Sequence, residues 1–138
     1  MYEFMAKFNP TQNCVKEFKH WLVCVRAKQV TLGDAIILLK REVPSLADMS
    51  TEESAEFAEV IAWYEQKCTE LFGAIKFNYV VAMMKDSFVH YHAFPRYSEK
   101  RVWCGAEWED QDWPRLVQFR EVDIPKELVA KVADALRN

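Results

Sequence analysis

The segment Phe88-Val89-His90-Tyr91-His92-Ala93-Phe94 alternates with a period of two. Successive side chains of an extended chain point to opposite faces. Phe88, His90 and His92 therefore share one face, and Val89, Tyr91 and Ala93 share the other. Residues two apart on a strand are roughly 7 Å apart along the chain. Two imidazoles at that spacing can act on one small anion. One attacks a phosphorus atom while the other hydrogen-bonds an oxygen or protonates the leaving group. By composition alone, such a pair is more often two partly exposed surface histidines than a site, so the flanking sequence has to decide.

Other segments read as strands by the same logic. Residues 17–26, with Trp21, Val23 and Val25 on one face and His20, Leu22 and Cys24 on the other, predict a strand covered on both sides. Residues 76–84 and 87–94 predict two strands joined in a hairpin by a turn at Lys85-Asp86, with Pro95 ending the second. Residues 101–103 and 116–119 predict two short strands. The acidic run from Glu107 to Asp112 between them reads as a solvated loop, since carboxylates repel a bound phosphate. Trp103, Trp108 and Trp113 offer either buried area or a base-stacking wall.

Helices are marked by their caps. Thr31-Leu32-Gly33-Asp34 reads as a capping box opening a helix over 35–43, stopped by Pro44. Ser50-Thr51-Glu52-Glu53 opens a longer helix to about Phe72, with Gly73 as its C-terminal cap. Phe57, Ile61, Tyr64, Cys68, Leu71 and Phe72 recur on it at helical spacing. A last helix is expected over about 124–137, with Pro125 in its first turn. Helices grouped beside an antiparallel sheet make an α+β fold, here with about five strands and the helices mostly on one face.

The 138 residues suit a single domain spanning 1–138. A net charge of -3 argues against a duplex nucleic-acid binder. No apolar run is long enough to span a membrane, and the first residues lack a secretory signal. Cys14, Cys24, Cys68 and Cys104 are widely spaced and read as reduced thiols of a cytoplasmic protein.

Residues 88–97 resemble the signature of the histidine-triad superfamily, in which three histidines alternate with apolar residues before an apolar pair and often Pro-Arg. His90 and His92 fall on the second and third histidines, Ala93-Phe94 on the apolar pair and Pro95-Arg96-Tyr97 on the tail. Phe88 stands where the first histidine would be. Upstream, residues 20–25 resemble the family's earlier strand, which also begins with a histidine. Asn78 matches an asparagine that faces the bound phosphate or ribose, and residues 31–72 fit the helical part. The resemblance covers about residues 15–114, in the form of the shorter, hydrolase-like branches.

The resemblance implies hydrolysis or transfer at dinucleoside polyphosphates, nucleoside phosphoramidates or related conjugates. His90 would attack the α-phosphorus and form a nucleotidyl-histidine that water cleaves. Its other ring nitrogen would need a hydrogen bond, expected from a backbone carbonyl, to hold the tautomer. His92 would bind a phosphoryl oxygen or assist the leaving group, and Asn78, His20 and Arg96 would contact substrate. No metal or other cofactor is implied, and many relatives are homodimers. Phenylalanine neither donates nor accepts a hydrogen bond, so His20 loses the partner that a histidine at position 88 would supply. Two alternatives stay open: a non-catalytic nucleotide-binding or regulatory relative, and a zinc site built from His20, His90 and His92.

Overall fold

The computed structural model describes residues 13–86 and 88–138. Its centre is a five-stranded antiparallel sheet of β1 (Cys14–Glu17), β2 (Trp21–Val25), β3 (Ala35–Leu39), β4 (Lys76–Val80) and β5 (His90–Arg96). The spatial order is β1-β2-β3-β5-β4. A separate two-stranded ribbon pairs β6 (Arg101–Trp103) with β7 (Ala106–Trp108). Among the described residues, the α-helices longer than one turn are α1 (Thr51–Phe72) and α2 (Lys126–Arg137). Among the described residues, no helix is long and apolar enough to cross a membrane.

The expected α+β architecture is present, with both helices on one face. Trp21, Val23, Val25, Ala35, Ile37 and Leu39 point to that face. They bury Val60, Tyr64, Cys68 and Phe72 of α1 and Val129, Val132 and Leu136 of α2. Helix α1 starts and stops where its caps predict. Ser50 and Glu53 exchange both bonds of the capping box, and Gly73 closes the helix at φ 75°. The buried Trp21 indole donates to the Glu53 carbonyl at 2.9 Å, which fixes the first turn of α1 against β2.

The structure corrects the expected helix over 35–43, which is strand β3. Its register runs from Trp21↔Leu39 to Val25↔Ala35 against β2 and from Ala35↔Ala93 to Leu38↔His90 against β5. A central strand buried on both faces has no polar alternation, so its apolar run looks the same as a buried helix segment. The residues read as a capping box form a turn instead. The Asp34 N–H donates to the Thr31 carbonyl at 3.1 Å, and the Asp34 carboxylate accepts from Arg26 and the Val30 N–H.

Other boundaries move for local reasons. Residues 18–20 turn between β1 and β2, so the strand expected over 17–26 begins at Trp21. β4 and β5 pair as expected, yet nine connecting residues, 81–89, replace the tight turn at Lys85-Asp86. Within that connection Met83 takes φ 54° and Met84 is exposed, so no alternating buried face prolongs β4. β5 continues through Pro95, because its pairing to β3 ends at Ala93 and the missing proline N–H leaves no ladder bond unmade. The strand expected over 116–119 does not form. There the Val117 and Gln118 N–H groups bond to the Asn78 and Asp112 side chains. In helix α2, Pro125 is the N-terminal flanking residue, just ahead of the first turn.

Candidate active site

The pairing register decides what lies beside the histidines. Leu38 stands opposite His90 and Ile36 opposite His92 on β3, while Val80 of β4 stands opposite His92 on the other side. On β2, Leu22 and Cys24 extend the same rows. Leu22, Cys24, Ile36 and Leu38 form one apolar cluster on the face away from the helices, and Phe88 packs against it.

Within this setting the His90 and His92 rings lie 5.3 Å apart, centroid to centroid, with planes at 71°. His90 is buried, and its Nδ1 lies 2.7 Å from the Phe88 carbonyl oxygen. A carbonyl only accepts, so Nδ1 carries a proton, and in the neutral ring Nε2 is the nitrogen with the lone pair. The carbonyl partner anticipated from sequence is thus present, supplied by Phe88.

His92 differs from its neighbour. Burial, helped by the positive charge of Arg26, holds its pKa down to about 4, so the ring is neutral at pH 7. Its Nδ1 is enclosed and has no hydrogen-bond partner among the described residues. The ring stacks at 17° to Phe94 and meets the edge of half-exposed Phe119 at 4.9 Å.

Sequence reasoning missed Arg26, which stands at the end of β2. Its guanidinium lies 5.8 Å over Phe94 and 5.5 Å over Phe119, the two rings that hold His92. Nη1 donates to Asp34 Oδ2 at 2.7 Å. Asp34 is fully buried, and desolvation pushes its carboxyl up to about 8 against the opposing pull of Arg26 and the Val30 N–H. A lone arginine after an apolar strand carries no motif. Its proximity to His92 follows only from the β2–β3–β5 register.

The remaining candidates are placed as follows. Arg96 is buried and committed to Asp110, through Nε at 2.6 Å and Nη2 at 3.1 Å, and to Asn78 Oδ1 at 2.5 Å. Both Arg96 and Asn78 lie on the face of the histidines but bond to protein groups that hold residues 110–117. His20 sits in the β1–β2 turn with its backbone N–H 2.6 Å from Glu56 Oε1. No hydrogen bond or ring contact among the described residues links it to His90 or His92, and no group of three or more His, Cys, Asp or Glu side chains there could hold a metal. The zinc reading fails for this reason: the three histidines do not converge.

The acidic run also departs from expectation. Asp110 and Asp112 are buried in ion pairs with Arg96 and Arg120, and Trp108 is buried in the core. Trp103 packs at 5.1 Å edge-on against Phe72, and the Arg96 guanidinium lies 5.7 Å from the Trp113 ring. A cavity of about 200 Å³ beside Tyr97, Lys100, Asp110 and Trp113 is lined by neither histidine.

This sheet, with two imidazoles on the interior strand β5, is the fold of the histidine-triad proteins. The chain is similar to a histidine triad protein from Marinobacter aquaeolei, with 17% identity and TM-score 0.76 over 99% of this chain and 94% of that one. It is similar to a hypothetical histidine triad nucleotide-binding protein from Sulfolobus tokodaii, with 14% identity and TM-score 0.66 over 96% of this chain and 86% of that one. It also matches the NitFhit protein of C. elegans, with 24% identity and TM-score 0.66 over 91% of this chain, and spans only 27% of that protein's length. No family model and no curated protein matches the sequence.

Proposed function

We propose that the chain is a histidine-triad nucleotidyl hydrolase or transferase that cleaves a phosphoanhydride or phosphoramidate through His90. The observation that carries this reading is the bond from His90 Nδ1 to the Phe88 carbonyl, which makes Nε2 the nucleophilic nitrogen of the neutral ring on a rigid strand. In the first step, the Nε2 lone pair attacks the α-phosphorus. The bond from phosphorus to the leaving group breaks, and that group departs with a proton from solvent. In the second step, water attacks the nucleotidyl-histidine and gives a proton to solvent, and the P–N bond breaks with its electron pair returning to Nε2. Neutral His92 donates from Nε2 to a non-bridging phosphoryl oxygen, and Arg26 adds positive charge beside it. Positioned donors of this kind stabilise the charge that develops on the oxygens. Arg96 and Asn78 act as positioning residues through the segment they hold. The fold shared with a nucleotide-binding protein from Sulfolobus tokodaii supports the ligand class.

The test is turnover of a fluorogenic adenosine phosphoramidate and of a diadenosine polyphosphate. Expected are measurable hydrolysis, an adenylyl group trapped on His90 by mass spectrometry, and a fall of about 10³-fold or more in His90→Ala. AMP binding by calorimetry without turnover of either substrate would move the chain to the non-catalytic, regulatory class.

A further inference from the structure

The chain holds a second reactive pair, separate from the histidines. Cys14 on β1 and Cys24 on β2 are direct cross-strand partners. Both lie on the face away from the helices, with Cys24 inside the apolar cluster and Cys14 packed against it. Opposed residues of an antiparallel pair have Cα atoms about 4.5–5.5 Å apart. A disulfide spans Cα separations of about 4.4–6.8 Å. The pairing therefore puts the two Cα atoms in the range a disulfide spans, beside the irregularity between Cys14 and Lys16 that loosens the edge of β1. Both cysteines are free thiols in the structure.

We infer that Cys14 and Cys24 form a redox-active dithiol, which a hydroperoxide closes to a cross-strand disulfide. Their unequal exposure assigns the roles: Cys14 is half-buried and Cys24 is buried. Cys14 therefore meets the oxidant, and Cys24 resolves the intermediate. Two supporting influences act in the same direction. The Cys24 thiol beside it holds the Cys14 pKa down to about 7, which enriches the thiolate that reacts. The Cys14 sulfur, and then burial, push Cys24 up, so it stays protonated until it is needed.

The chemistry balances. The Cys14 thiolate attacks one peroxide oxygen and the O–O bond breaks. The released hydroxide takes up a proton, leaving Cys14 as a sulfenic acid and one water. The Cys24 sulfur then attacks the Cys14 sulfur. The S–O bond breaks, hydroxide leaves with the Cys24 proton as a second water, and the S–S bond forms. Two thiols are oxidised by two electrons and one peroxide is reduced. The product ties edge strand β1 covalently to β2. A transient, redox-sensing disulfide of this kind is compatible with a reducing compartment.

The experiment treats the full chain with hydrogen peroxide, alkylates the remaining thiols and maps the peptides without reduction. It needs no nucleotide substrate, so its outcome is independent of the nucleotidyl reading. Expected are the loss of two of the four free thiols, an intact mass lower by two hydrogens, and a Cys14–Cys24 linked peptide that a dithiol reductant reverses. Cys24→Ser should leave Cys14 as a sulfenic acid trapped by dimedone, whereas Cys104→Ser should form the linked peptide at the parental rate. Cys14→Ser, at a half-buried position, should leave Cys24 alkylatable after unfolding. Oxidation of Cys14 to a sulfinic acid with Cys24 still reduced, or bonds formed only through exposed Cys104, would overturn the inference.

Discussion

Because the bond that orients His90 comes from the backbone of residue 88, the side chain there is free to vary. The Phe88 ring packs on the Leu22, Cys24, Ile36 and Leu38 cluster, while its carbonyl meets His90 Nδ1 at 2.7 Å. Phe88→His keeps that carbonyl, so turnover of the adenosine phosphoramidate is expected to change by less than about threefold, well under the tenfold that about 1.4 kcal/mol represents. A much larger gain would show that the missing imidazole limits the reaction. His92 gives a pH prediction. Its folded pKa of about 4 lies below the ordinary 6.5. Between those values the unfolded chain binds a proton that the native ring refuses. The stability contribution is thus complete above pH 6.5 and declines as pH falls toward 4. An NMR titration should find the His92 imidazole midpoint near 4, and His92→Gln should flatten that part of the stability profile. The histidine pair was legible from its alternation with apolar residues. Arg26 was not, because only pairing between distant strands brings a solitary charge to His92.

At the scale of elements, legibility followed the strength of local signals. The capping box at Ser50 and Glu53 and the glycine at 73 mark α1 because both ends are satisfied by neighbours in sequence. β3 has no such local signature: its five residues are apolar throughout, and one of the two strands that flank it, β5, is distant in sequence. What makes β3 possible is the turn before it, where Gly33 takes φ 95° and a Cβ would meet Pro95 Cγ at 3.1 Å, Phe72 Cε2 at 3.2 Å and Cys68 Sγ at 3.3 Å. Gly105, at φ 76° in the β6–β7 turn, faces open space. Both alanine variants bear left-handed backbone strain of about 1–2 kcal/mol. Gly33→Ala adds overpacking of about 1–3 kcal/mol. Urea denaturation should therefore rank Gly33→Ala clearly below Gly105→Ala in stability. Equal losses would mean that the space around Gly33 yields freely. Ser50→Ala should cost about 1 kcal/mol through loss of the cap bond to the Glu53 N–H.

For the whole molecule, the question is what keeps the chain after β7 on the sheet, since residues 109–125 contain neither helix nor strand. The answer is a polar chain rooted in one buried ion pair. Asp110 receives Arg96 and the Tyr97 N–H, and its Oδ1 accepts from the Asp112 N–H at 3.2 Å. Asp112 in turn accepts from the Gln118 N–H and pairs with Arg120. Phe119, between those two, is thereby held with its edge on His92. The acidic residues that looked solvated are the fasteners of this segment, which sequence could not show because their partners lie on β5 and beyond Pro114. Both members of the Arg96–Asp110 pair have side chains at most 2% exposed. Removing one leaves a buried charge alone, at about 3–5 kcal/mol. Asp110→Ala should therefore unfold at markedly lower urea. Below that transition it should also lose amide protection over residues 112–120 and weaken AMP binding, because Phe119 no longer sits on His92. Replacing both partners, as Arg96→Met with Asp110→Leu, removes the stranded charge, so much of the global stability should return. The tail has then still lost its anchor on Asp110, so protection at 112–120 and AMP affinity should stay low. If affinity recovered in step with stability, the anchor would be serving the core alone and the link from β5 to Phe119 would be broken.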